Sequence, residues 1–211
     1  MSMLSLHNFQ KSFGKQLILE IPELTFEKGI HWIKGKNGSG KSTLFNCLAG
    51  LSPYKGEIGL EDIDLRKSPQ VYKLKVNYSQ SEPLFPEFLT GNDLIKFFAK
   101  LKKAPAGQAE LLTQQLSVDA YAEQPCGTYS SGMTKKLSIV LAFLGEPEWI
   151  ILDEPLITLD VEAQQLVSKM IVESRAKDIS FLFSTHQDFD NSLIKASHTY
   201  KVENSALTPE S

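Results

Sequence analysis

Over the first third of the chain, apolar residues come in short blocks and alternations; in the middle they recur at helical spacing. Leu4 to Phe9 and Leu17 to Ile21 read as strands, with Phe13-Gly14-Lys15 as a turn between them. Leu24 to Phe26 and Ile30 to Ile33 flank a Lys28-Gly29 turn. A helix is expected from Ser42 to Ala49, stopped by Gly50 with Pro53 just beyond. Gly56 to Ile63 alternates like a short hairpin, and Lys75 to Tyr78 reads as a strand that Ser79-Gln80 end.

The period then changes. Pro83-Leu84-Phe85-Pro86 is rich in breakers, and Thr90-Gly91-Asn92-Asp93 resembles a capping box with Asp in place of Glu. Leu94, Ile95, Phe97, Phe98 and Leu101 follow at helical spacing. Leu111, Leu112 and Leu116 mark another helix, and Leu137, Val140, Leu141 and Leu144 a further one. Residues 84–145 therefore read as a helical insertion between two strand-bearing parts, 1–83 and 146–211, of a single domain. Glu148 to Leu152 is an apolar strand, and Asp160 caps a helix with Leu166, Val167, Met170 and Ile171 inside. Ile179 to Phe183 is another strand, ending in Ser184-Thr185-His186, and the tail from His198 to Leu207 suits a small hairpin. Strands alternating with helices predict an α/β fold with a parallel sheet wrapped by helices.

Composition narrows the class. The 211 residues are 42% hydrophobic and 22% charged, enough to bury a substantial core. A net charge of −3 gives no bulk electrostatic footprint for nucleic acid. Cys47 and Cys126 form neither a metal spacing nor a disulfide framework and suit a reducing compartment. The N-terminus lacks the pattern of a signal peptide, and no apolar run approaches the roughly 18 residues that span a bilayer.

The chemistry centres on Gly35-Lys36-Asn37-Gly38-Ser39-Gly40-Lys41-Ser42-Thr43, which satisfies G-x-x-x-x-G-K-[ST] between a strand and a helix. Glycines let the backbone curl into a nest of N–H donors, and the helix N-terminus adds positive potential for phosphate oxygens. Lys41 supplies a compact charge for β- and γ-phosphates, and the Ser42 hydroxyl is a ligand for Mg2+. Ile150-Ile151-Leu152-Asp153-Glu154 is an apolar strand ending in two acids. At a parallel strand's carboxyl end such acids face the ligand crevice. Asp153 then suits Mg2+, and Glu154 suits an attacking water. Gln80 and His186 end strands and Phe13 precedes the loop. In isolation they read rather as a loop residue, a satisfied cap and core packing, respectively. Tyr129-Ser130-Ser131-Gly132-Met133 reads as a Ser-capped helix start, also a favourable place for an anion.

In their order and spacing, Phe13, the Gly35 loop, Gln80, the Ser130-Ser131-Gly132 segment, Asp153-Glu154, Asp160 and His186 resemble the ATP-binding cassette of ABC transporters, over almost the whole chain. The resemblance implies a P-loop fold with an N-terminal antiparallel part and an inserted helical subdomain. It implies ATP and Mg2+ as ligands. Phe13 would stack on adenine, and Asn37, Gly38, Ser39, Gly40, Lys41, Ser42 and Thr43 would hold phosphates. Ser42, Gln80 and Asp153 would attend the metal. Glu154 would be the general base, His186 the switch histidine and Asp160 the aspartate of the loop crossing the dimer interface. Ser130 and Gly132 would touch the ATP of a second cassette, identical or not, paired head to tail. Tyr129, Ser131 and Met133 depart from the family's Leu-Ser-Gly-Gly-Gln, and Ile157 stands where a small polar residue is usual.

The function so implied is an ATPase subunit on the cytoplasmic face of a membrane, driving a separate permease. The segment Leu84 to Gly91 resembles that of exporter-type bacterial ATPases. A non-transport ATPase of the family, or an ATP-binding regulatory subunit, is the alternative. No nucleic acid partner is expected.

Overall fold

The computed structural model describes residues 3–185 and 194–210. Strand β1 (Leu4–Phe13) buries Leu4, Leu6 and Phe9 completely. The step from Leu6 to Phe9 breaks strict alternation because Asn8 takes φ 48°, and pairing with the next strand of the sheet shifts there. Antiparallel to it runs β2 (Gln16–Phe26). The pattern predicted two strands interrupted at Pro22; the structure has one. Proline is tolerated because β2 lies at the edge of its sheet, where the missing N–H breaks no ladder.

After β3 (Ile30–Lys34) comes α1 (Lys41–Leu48), whose Leu44, Phe45, Cys47 and Leu48 are fully buried. Eight residues do not hold a helix in water; burial between two sheets does. Strands β4 (Lys55–Leu60) and β5 (Ile63–Asp64) complete the antiparallel sheet, in the order β2-β1-β4-β5. An unanticipated helix, α2 (Pro69–Lys75), starts with proline at its first turn after Ser68. It runs straight into β6 (Val76–Ser79), and its Tyr72 hydroxyl donates to the Leu48 carbonyl at 2.9 Å.

Three α-helices and a short 3-10 turn (Cys126–Thr128) separate β6 from β7. Helix α3 (Gly91–Leu101) carries the expected capping box: Asp93 N donates to Thr90 Oγ1 at 3.1 Å and Thr90 N to Asp93 Oδ2 at 3.0 Å. Helix α4 (Gln108–Gln115) turns Leu112 inward, and Leu116 is buried just after it, while Leu111 stays exposed. Helix α5 (Ser131–Phe143) lies along β6. Asn77 Nδ2 donates to the carbonyls of Ala142 at 2.7 Å and Leu144 at 2.9 Å, and the Ser79 and Ser138 hydroxyls meet at 2.8 Å.

Strands β7 (Trp149–Asp153) and β8 (Ser180–Ser184) flank α6 (Val161–Arg175), which Asp160 caps by accepting from Ala163 N at 2.8 Å. The tail forms the expected hairpin, β9 (His198–Glu203) and β10 (Ala206–Glu210). The second sheet runs β10-β9-β3-β8-β7-β6, parallel except for β10. Every residue of β7 and β8 is buried, as central parallel strands require. Ile151 and Leu182 face α1 and the antiparallel sheet; Ile150, Leu152, Phe181 and Phe183 face the cluster built with α3–α6.

Candidate nucleotide site

Four neighbouring parallel strands, β3, β8, β7 and β6, end on the same edge of the sheet. Their carboxyl ends carry, in that order, the glycine loop, Ser184-Thr185, Asp153-Glu154 and Gln80. Residues more than a hundred positions apart are thereby gathered at a crevice of the kind where open parallel sheets bind ligands. His186, which the sequence places at this edge, lies outside the described residues.

The loop's backbone is built on glycine. Gly40 caps α1 at φ 112°, and a Cβ there would come within 3.1 Å of Ile18 Cγ2 and 3.2 Å of Leu19 Cγ. Asn37 and Gly38 are exposed, while Ser42 and Thr43 occupy the first turn of α1, half-buried. Ser39 Oγ is buried with no hydrogen-bond partner among the described residues. Lys41 is 4% exposed and its Nζ donates to the carbonyls of Gly35 at 2.7 Å and Lys36 at 3.2 Å. Burial lowers the pKa of its ammonium, and the carboxylates of Glu154 and Asp153 oppose that shift.

Asp153 is fully buried at the end of β7. Its Oδ1 accepts from the Ser184 hydroxyl, whereas Oδ2 has no hydrogen-bond partner among the described residues. A buried carboxylate oxygen left unpaired is costly unless a cation meets it. With the Ser42 hydroxyl and Gln80 the donors are all oxygen-bearing, which suits Mg2+. No three His, Cys, Asp or Glu residues cluster as a metal site among the described residues, so phosphate oxygens would complete the coordination. Glu154 is half-buried at φ 50°, an unusual backbone for a side-chain-bearing residue, and its N–H donates to Ser184 Oγ at 3.1 Å. Ser184 thus pins both acids. The sequence showed it only as the end of a strand.

Sequence reasoning also missed Lys135. This residue of α5 is 1% exposed, and its Nζ donates to the carbonyls of Gln80 at 2.8 Å, Ser81 at 3.1 Å and Asp153 at 2.8 Å. Burial pushes its pKa down to about 8, against the pull of Asp153, Glu154 and Glu82.

Ser130 and Gly132 stand elsewhere. Ser130 caps α5, accepting from Met133 N at 3.2 Å, and among the described residues none of its hydrogen bonds reaches the glycine loop. At Gly132 a Cβ would lie 3.0 Å from the Thr158 carbonyl, so this backbone packs against the loop after Glu154. Tyr129 braces the segment: its hydroxyl donates to the Tyr121 carbonyl at 3.1 Å and accepts from Gly91 N at 3.2 Å. Tyr121 donates in turn to the Met133 carbonyl at 3.0 Å. Phe13 ends β1 with its ring exposed and the Lys11 ammonium 4.5 Å from its centroid. Asp160 is occupied in capping α6, with Lys136 Nζ 3.4 Å from its carboxylate. No helix among the described residues is long and apolar enough to cross a membrane.

The comparisons agree with this architecture. The family model described as ABC transporter matches residues 19–157. The cytochrome c biogenesis ATP-binding export protein CcmA of Legionella pneumophila is 30% identical over 161 residues, covering 76% of this chain and 80% of that one. ATP-binding cassette sub-family A member 7 of Rattus norvegicus is 30% identical over 158 residues, or 72% of this chain, which spans only 7% of that protein. A solved ATP binding subunit of an ABC transporter superposes with TM-score 0.87 at 25% identity, covering 97% of this chain and 88% of that one. The cassette MJ0796, solved as a dimer in a post-hydrolysis state with ADP and Pi, shares the fold at TM-score 0.84 and 18% identity, with coverage of 98% and 97%.

Proposed function

Because this chain belongs to the ABC transporter family as one of its ATP-binding ATPase cassettes, we propose that it powers export through a separate membrane permease. The observation that carries the reading is the edge where the glycine loop, Gln80, Asp153 and Glu154 meet, with Lys41 and Asp153 both buried there. The loop N–H groups and Lys41 bind the phosphates, the Asn37-to-Thr43 backbone wraps them, and Phe13 stacks on adenine. Ser42, Asp153 and Gln80 hold Mg2+, which when bound neutralises charge on the β- and γ-phosphates. Glu154 accepts a proton from the attacking water, and His186 bonds the γ-phosphate.

The site is completed by a second cassette. Ser130 and Gly132 on the exposed tip of α5 reach the mate's ATP, and Asp160 and the exposed Ile157 lie on the face between the two. Leu84, Phe88 and Phe97 are exposed to 91%, 81% and 61% in the segment between Gln80 and the end of α3. An apolar surface of that kind marks a docking face, and we assign it to the permease, which holds the cassette at the inner face of the membrane. Export is favoured by the likeness to CcmA, an ATP-binding export protein that this chain matches over most of its length.

Phosphate release from the purified chain, with and without a candidate permease, tests the reading. Release well above that of Lys41→Ala, raised further by the permease, is the expected result. Release no faster than Lys41→Ala in both preparations would end it.

A further inference from the structure

Helix α5 carries at its tip the residues assigned to the mate's nucleotide, and one turn later it carries Lys135. The ammonium of Lys135 has three N–H donors and three carbonyl acceptors: Gln80 and Ser81 at the end of β6, and Asp153 at the end of β7. Those carbonyls belong to the segments that hold the metal-side residues of the chain's own nucleotide. Asn77 and the Ser79–Ser138 pair already fasten the helix along β6. Lys135 adds a link that reaches both strand ends beside the site, and it does so with a buried charge whose loss leaves three carbonyls to find new donors.

We propose that Lys135 is a positioning residue that latches the Ser130 tip to the Gln80 loop and the Asp153 strand end. Nucleotide in a chain's own loop thereby sets the pose of the tip it lends to its mate. The inference rests on the shared-site reading given above. Its consequence is cooperativity between the two sites. Lysine suits the task because its three donors diverge from one compact charge, whereas the planar arginine fork keeps the charge with a different aim.

The test uses the full chain, measuring phosphate release against ATP concentration and the affinity of dilute protein for a fluorescent ATP analogue. Wild type should show a Hill coefficient approaching the two-site limit of about two. Lys135→Met should lower kcat about tenfold or more and bring the Hill coefficient to about one, with nucleotide affinity held within about twofold. Lys135→Arg, which keeps the charge but not the aim, should recover only part of the lost kcat. Ser138→Ala, which loosens the same helix without touching the latch, should leave the Hill coefficient unchanged. Wild-type kinetics in Lys135→Met would overturn the inference, as would an equal loss in Ser138→Ala. Should Lys135→Met not accumulate as folded protein, Lys135→Gln carries the same outcomes. Failure of the parent reading looks different: wild type that hydrolyses ATP without cooperativity and forms no ATP-dependent dimer removes the shared site, and the latch with it.

Discussion

Ser184→Ala removes one oxygen and disturbs both acids at the site. The Ser184 hydroxyl donates to Asp153 Oδ1 and accepts from Glu154 N at 3.1 Å, in a position that is fully buried. The neutral bond to the Glu154 N–H contributes about 1 kcal/mol and the charge-assisted bond to Asp153 about 1.5–3. The variant should therefore lose about 2.5–4 kcal/mol of unfolding free energy, read by urea denaturation. The functional effect follows from what the two bonds hold. Glu154 sits at φ 50°, a backbone that persists only where its surroundings enforce it. Asp153, whose Oδ2 has no hydrogen-bond partner among the described residues, would lose the bond that aims its carboxylate. Removing such a supporting partner typically costs about 10–100-fold in metal affinity or activity. The Mg2+ concentration for half-maximal phosphate release should rise accordingly. A Ser184→Ala protein within twofold of wild type in that concentration, and within about 0.5 kcal/mol in stability, would refute the pinning role.

Other outcomes follow from single features. Glu154→Gln should retain ATP binding, lose most hydrolysis and accumulate an ATP-bound dimer visible by size exclusion; unchanged turnover removes Glu154 as the base. Gly40→Ala combines φ 112° with a Cβ 3.1 Å from Ile18, so nucleotide binding should fall sharply; wild-type affinity would contradict the geometry. His31 is fully buried, bonds the Glu27 carbonyl through Nε2 at 2.6 Å, and has no hydrogen-bond partner for Nδ1 among the described residues. Burial pushes its pKa from 6.5 down to about 4, against the Glu27 bond, so the folded state resists a proton that the unfolded chain accepts. Its stabilisation is intact above pH 6.5 and is lost as pH falls towards 4, by about 3 kcal/mol in all. Urea unfolding of His31→Phe should show a shallower decline over that window, and a parallel curve would contradict it.

The sequence alone determined the strand-loop-helix of the glycine motif, the capping box at Thr90 and most of the strands. Each is a local decision, fixed by glycine conformations, side-chain caps and hydrophobic period within about a dozen residues. The pairing of Asp153 with Glu154 was visible for the same reason, because an apolar strand ending in acids is one short string. Local rules failed where a neighbour decided: β2 continues through Pro22 because no strand needs that N–H, and α2 forms where its Tyr72 packs beneath α1.

Tertiary structure alone decided how the site is wired. Ser184 lies 31 residues from Asp153, and Lys135 lies 55 and 18 residues from the carbonyls it binds at Gln80 and Asp153. A lysine in a helix ordinarily reads as a solvated residue. This one is interior because three carbonyls left over at strand ends needed donors, and backbone carbonyls carry no trace of their partners in the sequence. The parallel order of β3, β8, β7 and β6 put those ends on one edge, and only the fold could fix that order.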